Sequence, residues 1–352
     1  MSVWKGKNLS IEIFGESHSE RIGVTVKGFP EMPIDLKKLG TFLERRKASS
    51  GVFSTARIEP DIPVFEGVEN EKINGQFTAY IYNTNRKSND YNELLGKPRP
   101  SHADYCAYLK DGTTDFTGGG RFSGRLTAPL CIAGGIAKDY LEKQGIYVLA
   151  YISSVGKVKG RSYKDGVILK SEIEKVILNQ SFPSLSASSE MIEEISKYKS
   201  ECDSLGGVVE CIVFGMKQGL GDCLFGGLEG KISSLVYSIP AVKGVEFGDG
   251  FDITRIPGSQ ANDEWQYVRG KVRAIKNSAG GINGGISNGE NVTLSVAFRP
   301  TPSIAKEQNT VDLIKGVNTK IKINGRHDAC IVPRAVPCVE SAVALSILDE
   351  IL

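Results

Sequence analysis

No CxxC pair occurs in this sequence. Its seven cysteines (Cys106, Cys131, Cys202, Cys211, Cys223, Cys330 and Cys338) are odd in number and dispersed. That pattern fits reduced thiols of a cytoplasmic protein, packed mostly as small apolar residues. No apolar stretch approaches the ~18–20 residues of a membrane span. Met1 to Ser10 carries Lys5 and Lys7 without an apolar run behind them, so no signal peptide is expected there. The formal net charge is only +2, too small an excess for a general polyanion binder, and neither nucleic acid nor membrane is expected as a partner. No linker, low-complexity tract or long charge block interrupts the chain. One domain over residues 1–352 is therefore expected, although its length alone suggests two. No GxxxxGK[ST] loop exists, and the run Gly280 to Gly285 misses the dinucleotide GxGxxG spacing. No His, Cys or carboxylate grouping has metal-ligand spacing, so no metal is implied.

The apolar pattern that is present alternates short strands with helices. Leu9 to Phe14, Val24 to Val26, Phe77 to Tyr82, Ile146 to Val155, Val208 to Phe214, Val242 to Phe247, Val268 to Ile275 and Val292 to Phe298 read as strands. Asp35 caps a helix whose last turn holds Arg45 and Arg46, where positive charge suits the helix dipole. Pro129 is expected to open a helix stopped by Gly145, and Pro337 a final one carrying Val339, Val343, Ile347 and Ile351. Leu228, Ile232, Leu235 and Ile239 mark another helix, and residues 83–100 a long polar loop. Residues 157–201 read as a peripheral, variable segment that looks dispensable.

Only three histidines occur, His18, His102 and His327, each in a polar, turn-rich cluster beside Arg, Asp or Glu. A lone histidine is more often structural, but three of three in such settings favour proton transfer near neutrality. Arg45, Arg46, Arg57, Arg99, Arg121, Arg125 and Arg326 lie in or near Gly/Ser-rich turns. Singly each reads as surface charge; as a set they read as two-point donors converging on a multiply charged anion. Arg121 and Arg125 are spaced to face one ligand if their helix begins early. Gly120-Arg121 and Gly325-Arg326 each precede a Pro-started apolar helix, a natural anion position and a hint of duplication. These residues describe an enzyme for a small polyanion and do not reveal a flavin.

Six runs, in order, resemble the chorismate synthase family: Gly15-Glu16-Ser17-His18; Arg99-Pro100-Ser101-His102-Ala103-Asp104; Gly118 to Arg125; Val242 to Phe251; Gly280 to Gly289; and Gly325 to Asp328 with Val332 to Pro337. The resemblance implies an α+β fold, a β-α-β sandwich with helices packed between antiparallel sheets, assembled as a homotetramer. It implies reduced FMN as cofactor, with NADPH as one source of its electrons, and 5-enolpyruvylshikimate 3-phosphate as substrate. Matching positions place Arg121, Phe122, Ser123, Pro240, Ala241, Gly284, Arg299, Pro300, Thr301, Pro302, Ser303 and Arg326 around the flavin. Arg46 takes a nucleotide or substrate phosphate, and Arg57, Arg99 and Arg125 the substrate. Phe122 stands where the family usually has serine, Ser101 where it has glycine, and Val52 where an arginine is often found.

The reaction so implied is a 1,4-elimination in which phosphate leaves C3 and a proton leaves C6, with no net redox change. His18 would protonate the departing phosphate and His102 the reduced flavin. Asp328 would sit by flavin N5 and help it act as base; its bland role is helix capping or pairing with Arg326. An ordinary flavin oxidoreductase and a non-catalytic anion-binding module are the competing readings. Net substrate redox would mark the first, and indifference to loss of His18 the second.

Overall fold

In the strand Arg21–Pro33, the side chains of Ile22, Val24 and Val26 share one face and are fully buried. They stand directly opposite Ile81, Ala79 and Phe77 of the strand Lys72–Tyr82, so one face of the pair is apolar throughout. A one-residue slip would turn that face to water, and burial therefore fixes the register. The computed structural model describes residues 2–47, 59–83, 94–116, 118–178, 182–323 and 328–352. These strands belong to a five-stranded antiparallel sheet of order β1-β2-β3-β5-β4, formed by β1 (Ser2–Lys5), β2 (Ser10–Phe14), β3 (Arg21–Pro33), β4 (Val64–Glu69) and β5 (Lys72–Tyr82). Helix α1 (Leu36–Glu44) follows β3, and Asp35 caps it as expected by accepting from Lys38 N at 2.8 Å.

A second five-stranded sheet has the order β7-β6-β8-β14-β9, and its strands are likewise antiparallel. It contains β6 (Tyr147–Val155), β7 (Val158–Lys159), β8 (Gly207–Phe214), β9 (Val242–Phe247) and β14 (Val292–Phe298). Val148, Ala150 and Ile152 of β6 pair with Val213, Cys211 and Val209 of β8, and all six are buried. Between β5 and β6 come α2 (Asp104–Asp111) and α3 (Thr127–Lys143); α4 (Lys170–Ile177) and α5 (Ser188–Ser200) precede β8; α6 (Leu228–Val236) precedes β9; and α7 (Gly258–Ala261) follows it. Three two-stranded ribbons complete the order: β10 (Trp265–Val268) with β11 (Lys271–Ala274), β12 (Ile282–Asn283) with β13 (Ile286–Ser287), and β15 (Gln308–Asp312) with β16 (Val317–Ile321). The chain ends in α8 (Val332–Ile351).

Helices α3 and α8 lie against each other between the two sheets, α3 touching β3 and β5 and α8 touching β6 and β8. This is the expected sandwich. It explains why α8 is buried on nearly all sides from Val332 to Asp349. Asp349 stitches the two ends of the chain together, accepting from the backbone N–H groups of Lys7, Asn8 and Leu9 at 2.7–2.8 Å.

Three expectations are corrected. Helix α8 starts at Val332 with Pro333 in its first turn, so Pro337 is internal, and Arg334 becomes a helix-start residue. Helix α3 starts at Thr127, whose hydroxyl donates to Gly124 O at 2.6 Å, ahead of Pro129. Residues 268–275 form half of a ribbon, because Arg269 (φ 49°) and Gly270 (φ 75°) turn the chain between β10 and β11. The described parts of residues 157–201 pack on the second sheet and into the core. Ile168 and Ile173 pack with Leu149, Tyr151 and Ile212 on the outer face of the second sheet, while Met191 and Ile195 join the main core. Ser162 Oγ and Tyr163 N also donate to buried Glu210, at 2.6 and 2.9 Å. Burial pushes the Glu210 carboxyl up, against the pull of those hydrogen bonds.

Candidate active site

The N-terminal ends of α3 and α8 come to one cavity of about 350 Å³, a volume suited to a small ligand. Its wall has an apolar part made by Phe122, Ile239, Pro240, Ala241, Phe298, Ile331 and Ala335. A cationic part carries Arg46, Arg99, Arg125, Arg299 and Arg334, joined by Glu59, Asp61, His102 and Asp328.

Arg46 and Arg125 both bind the carboxylate of Asp61, and all three are buried. Two guanidinium groups thus share one carboxylate. Burial pulls the Asp61 carboxyl upward, but the two arginines outweigh it and hold the group below the usual range. Burial likewise opposes the charge of Arg46, yet Asp61 keeps its pKa raised; in Arg125 burial wins and lowers it. Arg46 Nε and Arg125 Nη2 are buried donors without a hydrogen-bond partner among the described residues. Such donors are costly to leave unsatisfied, and both arginines line the cavity. Arg125 Nε also donates to Asn83 Oδ1 at 3.1 Å, and Asn83 Nδ2 donates to Ser19 O at 2.8 Å. The Gly15 to His18 run is thereby tied to the anion site.

His102 is oriented by a second group. Its Nδ1 lies 2.5 Å from Asp104 Oδ1; a carboxylate only accepts, so Nδ1 carries the proton and Nε2 is the free lone pair of the neutral ring. Arg99 Nη2 also approaches Nδ1, at 3.2 Å, but with Nδ1 protonated that contact is not a hydrogen bond. Arg99 donates instead from Nε and Nη2 to Asp104 at 2.7 and 2.8 Å, and from Nη2 to Gly118 O at 2.5 Å. Burial would raise the Asp104 carboxyl, but Arg99 and His102 bring it down to about 2. Arg99, expected among the substrate ligands, spends Nε and Nη2 on the protein, braces His102 through Asp104, and itself lines the cavity.

His18 does not line the cavity itself. It stands behind Gly118, which does; a Cβ on Gly118 would fall 2.2 Å from His18 Nε2. Gly118 has φ 63°, so only glycine gives both this backbone and this approach. Asp328 lines the cavity with its Oδ2 2.6 Å from Arg334 Nη1, and Arg334 Nε donates to Arg46 O at 3.0 Å.

Of the residues expected around a flavin, Arg46, Phe122, Ser123, Pro240, Ala241, Arg299, Thr301, Pro302 and Ser303 come together on the wall. Arg121 points elsewhere: it pairs with Asp111 and is about half exposed, so it does not share a ligand with Arg125. The 3-10 turns Gly120–Phe122 and Gly124–Leu126, broken at Ser123, send the two arginines in different directions. Pro300 is exposed between the lining residues Arg299 and Thr301. Gly284 is an exposed turn glycine (φ 61°) between β12 and β13, away from the wall. Arg57 and Arg326, with His327 and Val52, lie outside the described residues. Asp61, Asp104, Asn83 and Arg334 were missed by sequence reasoning. Asp104 and Arg334 stand inside quoted motifs and were legible there; Asp61 and Asn83 carry no local signal.

The family model described as chorismate synthase matches residues 9–352. The chain belongs to the chorismate synthase family. Its members are carbon–oxygen lyases, and this chain is one of them. It is 42% identical to the chorismate synthase of Korarchaeum cryptofilum, over 99% of this chain and 96% of that one. It is 42% identical to that of Thermococcus kodakarensis and 41% to that of Phocaeicola vulgatus, in both cases over 99% of this chain and 97% of the relative. A crystal structure of chorismate synthase superposes with a TM-score of 0.75 over 99% of this chain and 93% of that one, at 24% identity, a likeness of fold.

Proposed function

We propose that the chain forms chorismate from 5-enolpyruvylshikimate 3-phosphate by a reduced-FMN-dependent 1,4-elimination of phosphate. The observation that carries this reading is the pair of buried guanidiniums, Arg46 and Arg125, sharing the single carboxylate of Asp61 on a cavity that His102 also lines. A substrate with two carboxylates and a phosphate completes that charge, and bidentate arginines are suited to strip it of water.

The wall fits a flavin as well. The apolar part, from Phe122 to Ala335, suits a flat ring, and the orphaned donors of Arg46 and Arg125 suit an anionic tail or the substrate beside it. Bound there, reduced FMN supplies transient electron density, so that phosphate leaves without net redox change. The protein's own residues then have separable tasks. Arg46 and Arg125 hold the anion, with Arg299 and Arg334 on the same wall. Burial lowers the pKa of Arg299. His102, fixed at Nδ1 by Asp104, exchanges a proton at Nε2. His18, seated against Gly118, delivers a proton to the departing phosphate. Asp328, held by Arg334, would assist removal of the proton from C6.

The enzyme works in the cytoplasm as a homotetramer in this reading. Exposed Phe225, Leu224, Tyr267, Phe251 and Trp265 offer apolar surface for such an assembly. The deciding experiment is an oxygen-free assay with reduced FMN, counting phosphate and chorismate released per electron supplied. Many turnovers per electron are expected; a fixed one-to-one ratio identifies a net oxidoreductase and overturns the reading.

A further inference from the structure

Helices α3 and α8 approach closely enough that a Cβ on Gly134 would fall 2.2 Å from Ser341 Cβ. One turn earlier on each helix, Cys131 and Cys338 face each other with their sulfurs 3.8 Å apart. The pairs 131–338 and 134–341 run in the same direction along both helices, so a backbone crossing in register holds the two thiols together. Both are free cysteines and both are buried, but they are not equivalent. Cys338 is part of the cavity wall; Cys131 stands behind it.

The setting favours a thiolate on Cys338. The Cys131 thiol hydrogen-bonds to it, and with Arg46, Thr127 and Arg334 outweighs burial to lower its pKa. For Cys131, burial and the same neighbour push the thiol up. Two cations share Asp61 close by, leaving an excess of positive charge beside the sulfurs. Reactive cysteines are thiolates in electropositive, reachable sites, often beside a resolving thiol. Cys211 and Cys330 are just as buried, and burial pushes both up, Cys330 to about 12.

We propose that Cys338 is a peroxide-reactive site on the cavity wall and that Cys131 resolves its oxidised form into a disulfide joining α3 to α8. The Cys338 thiolate attacks one oxygen of hydrogen peroxide; the O–O bond breaks, hydroxide leaves, and Cys338 becomes a sulfenic acid. The Cys131 thiol then attacks that sulfur, its proton passes to the sulfenic oxygen, an S–S bond forms, and the S–O bond breaks to release water. Peroxide is reduced by two electrons to water and the two thiols are oxidised to one disulfide. The sulfurs must close from 3.8 Å to about 2.05 Å, a shift within reach of side-chain rotation and a small helix movement. The change draws Cys338 back from the cavity.

The test does not depend on the enzyme's activity. Reduced full-length protein is desalted, treated with hydrogen peroxide, denatured in an alkylating reagent and digested without reductant for mass spectrometry. A peptide linking Cys131 to Cys338 is expected, lost on treatment with dithiothreitol, while Cys211 and Cys330 are recovered alkylated. In Cys131→Ala, the sulfenic acid on Cys338 should persist and take a dimedone label; in Cys338→Ala, neither label nor link should form at this pair. The wild-type digest needs no variant to fold. Recovery of Cys338 as free thiol under peroxide that oxidises Cys106, Cys202 and Cys223, the exposed cysteines, overturns the proposal. So does a dimedone label on Cys211 or Cys330 in preference to Cys338.

Discussion

Arg45 and Arg46 are neighbours in the chain, yet they enter two buried charge clusters with different fates. Arg45 binds Glu340 through both oxygens, at 2.8 and 2.9 Å, and Lys138 adds a third bond at 2.6 Å. Arg46 binds Asp61, which Arg125 binds as well. Each cluster therefore holds two cations on one carboxylate. In the first, the excess charge is absorbed internally: the Arg45 guanidinium and the Lys138 ammonium both lie over the Phe42 ring, at 5.5 and 5.4 Å, and Lys138 also donates to Val148 O. Each cluster leaves buried guanidinium nitrogens without a partner among the described residues, Arg45 Nε in the first and Arg46 Nε and Arg125 Nη2 in the second; what distinguishes the second is that Arg46, Asp61 and Arg125 line the cavity, which Arg45, Lys138 and Glu340 do not. The same charge count makes a closed clamp beneath an aromatic face in one place and a pair of cations on a cavity wall in the other.

The comparison breaks most visibly at Glu340. Glu340→Ala leaves Arg45 and Lys138 buried without their carboxylate, and a loss of about 3–5 kcal/mol in unfolding free energy is expected. Chemical denaturation checks this; a loss under 1 kcal/mol would remove the clamp from the account. The next effect is on binding. Arg125→Lys keeps charge but loses the planar fork, so substrate affinity should fall by about 1.5–3 kcal/mol, the range of charge-assisted bonds. Titration of the folded variant reads it, and Arg45→Lys should leave the same affinity unchanged.

Acid sharpens the contrast further. Burial opposes the charge on Glu340, but Arg45 and Lys138 hold its carboxyl down to about 2, against an ordinary value of 4.5. A depressed carboxyl contributes stability above its unfolded pKa and loses it as pH falls through the folded one. Stability should therefore drop between about pH 4.5 and 2 in wild type, and this part of the drop should be absent in Glu340→Ala. Inorganic phosphate should raise the melting temperature of wild type by mass action and do so less in Arg125→Lys. Smallest of all is Arg121→Lys. Arg121 is solvent-exposed beside Asp111, so stability should stay within about ±0.5 kcal/mol and FMN and substrate affinity should be unchanged. A clear loss of affinity would return Arg121 to the site.

The sequence displayed the strands of both sheets as short runs rich in β-branched residues: Ile22, Val24 and Val26 recur with a period of two, and Val208 to Phe214 is a nearly continuous apolar run buried on both faces. It misplaced the starts of α3 and α8, since Pro129 and Pro337 looked like first-turn prolines. Pro333 fills that role in α8, while Pro337 lies in the helix interior. The outer-face core built by Ile168 and Ile173 was hidden, because a short amphipathic piece shows an apolar face without showing which surface will cover it. In the site, His102 and Asp328 could be named from their motifs. That Arg99 also braces His102 through Asp104 could not.

By itself the sequence determined the chemistry available to this protein: its three histidines, its arginines beside glycine turns, and six ordered motifs sufficient to name a family. Those are properties of residue type and spacing, which a chain carries unfolded. Tertiary structure alone decided which of two adjacent arginines is sealed and which faces a cavity. It also decided that Asp61 joins Arg46 to Arg125, that Gly118 seats His18, and that Cys131 meets Cys338 across 207 positions of sequence. Charge balance, burial and close approach depend on distances through space between groups far apart in the chain, and helices α3 and α8 packing between two sheets set those distances.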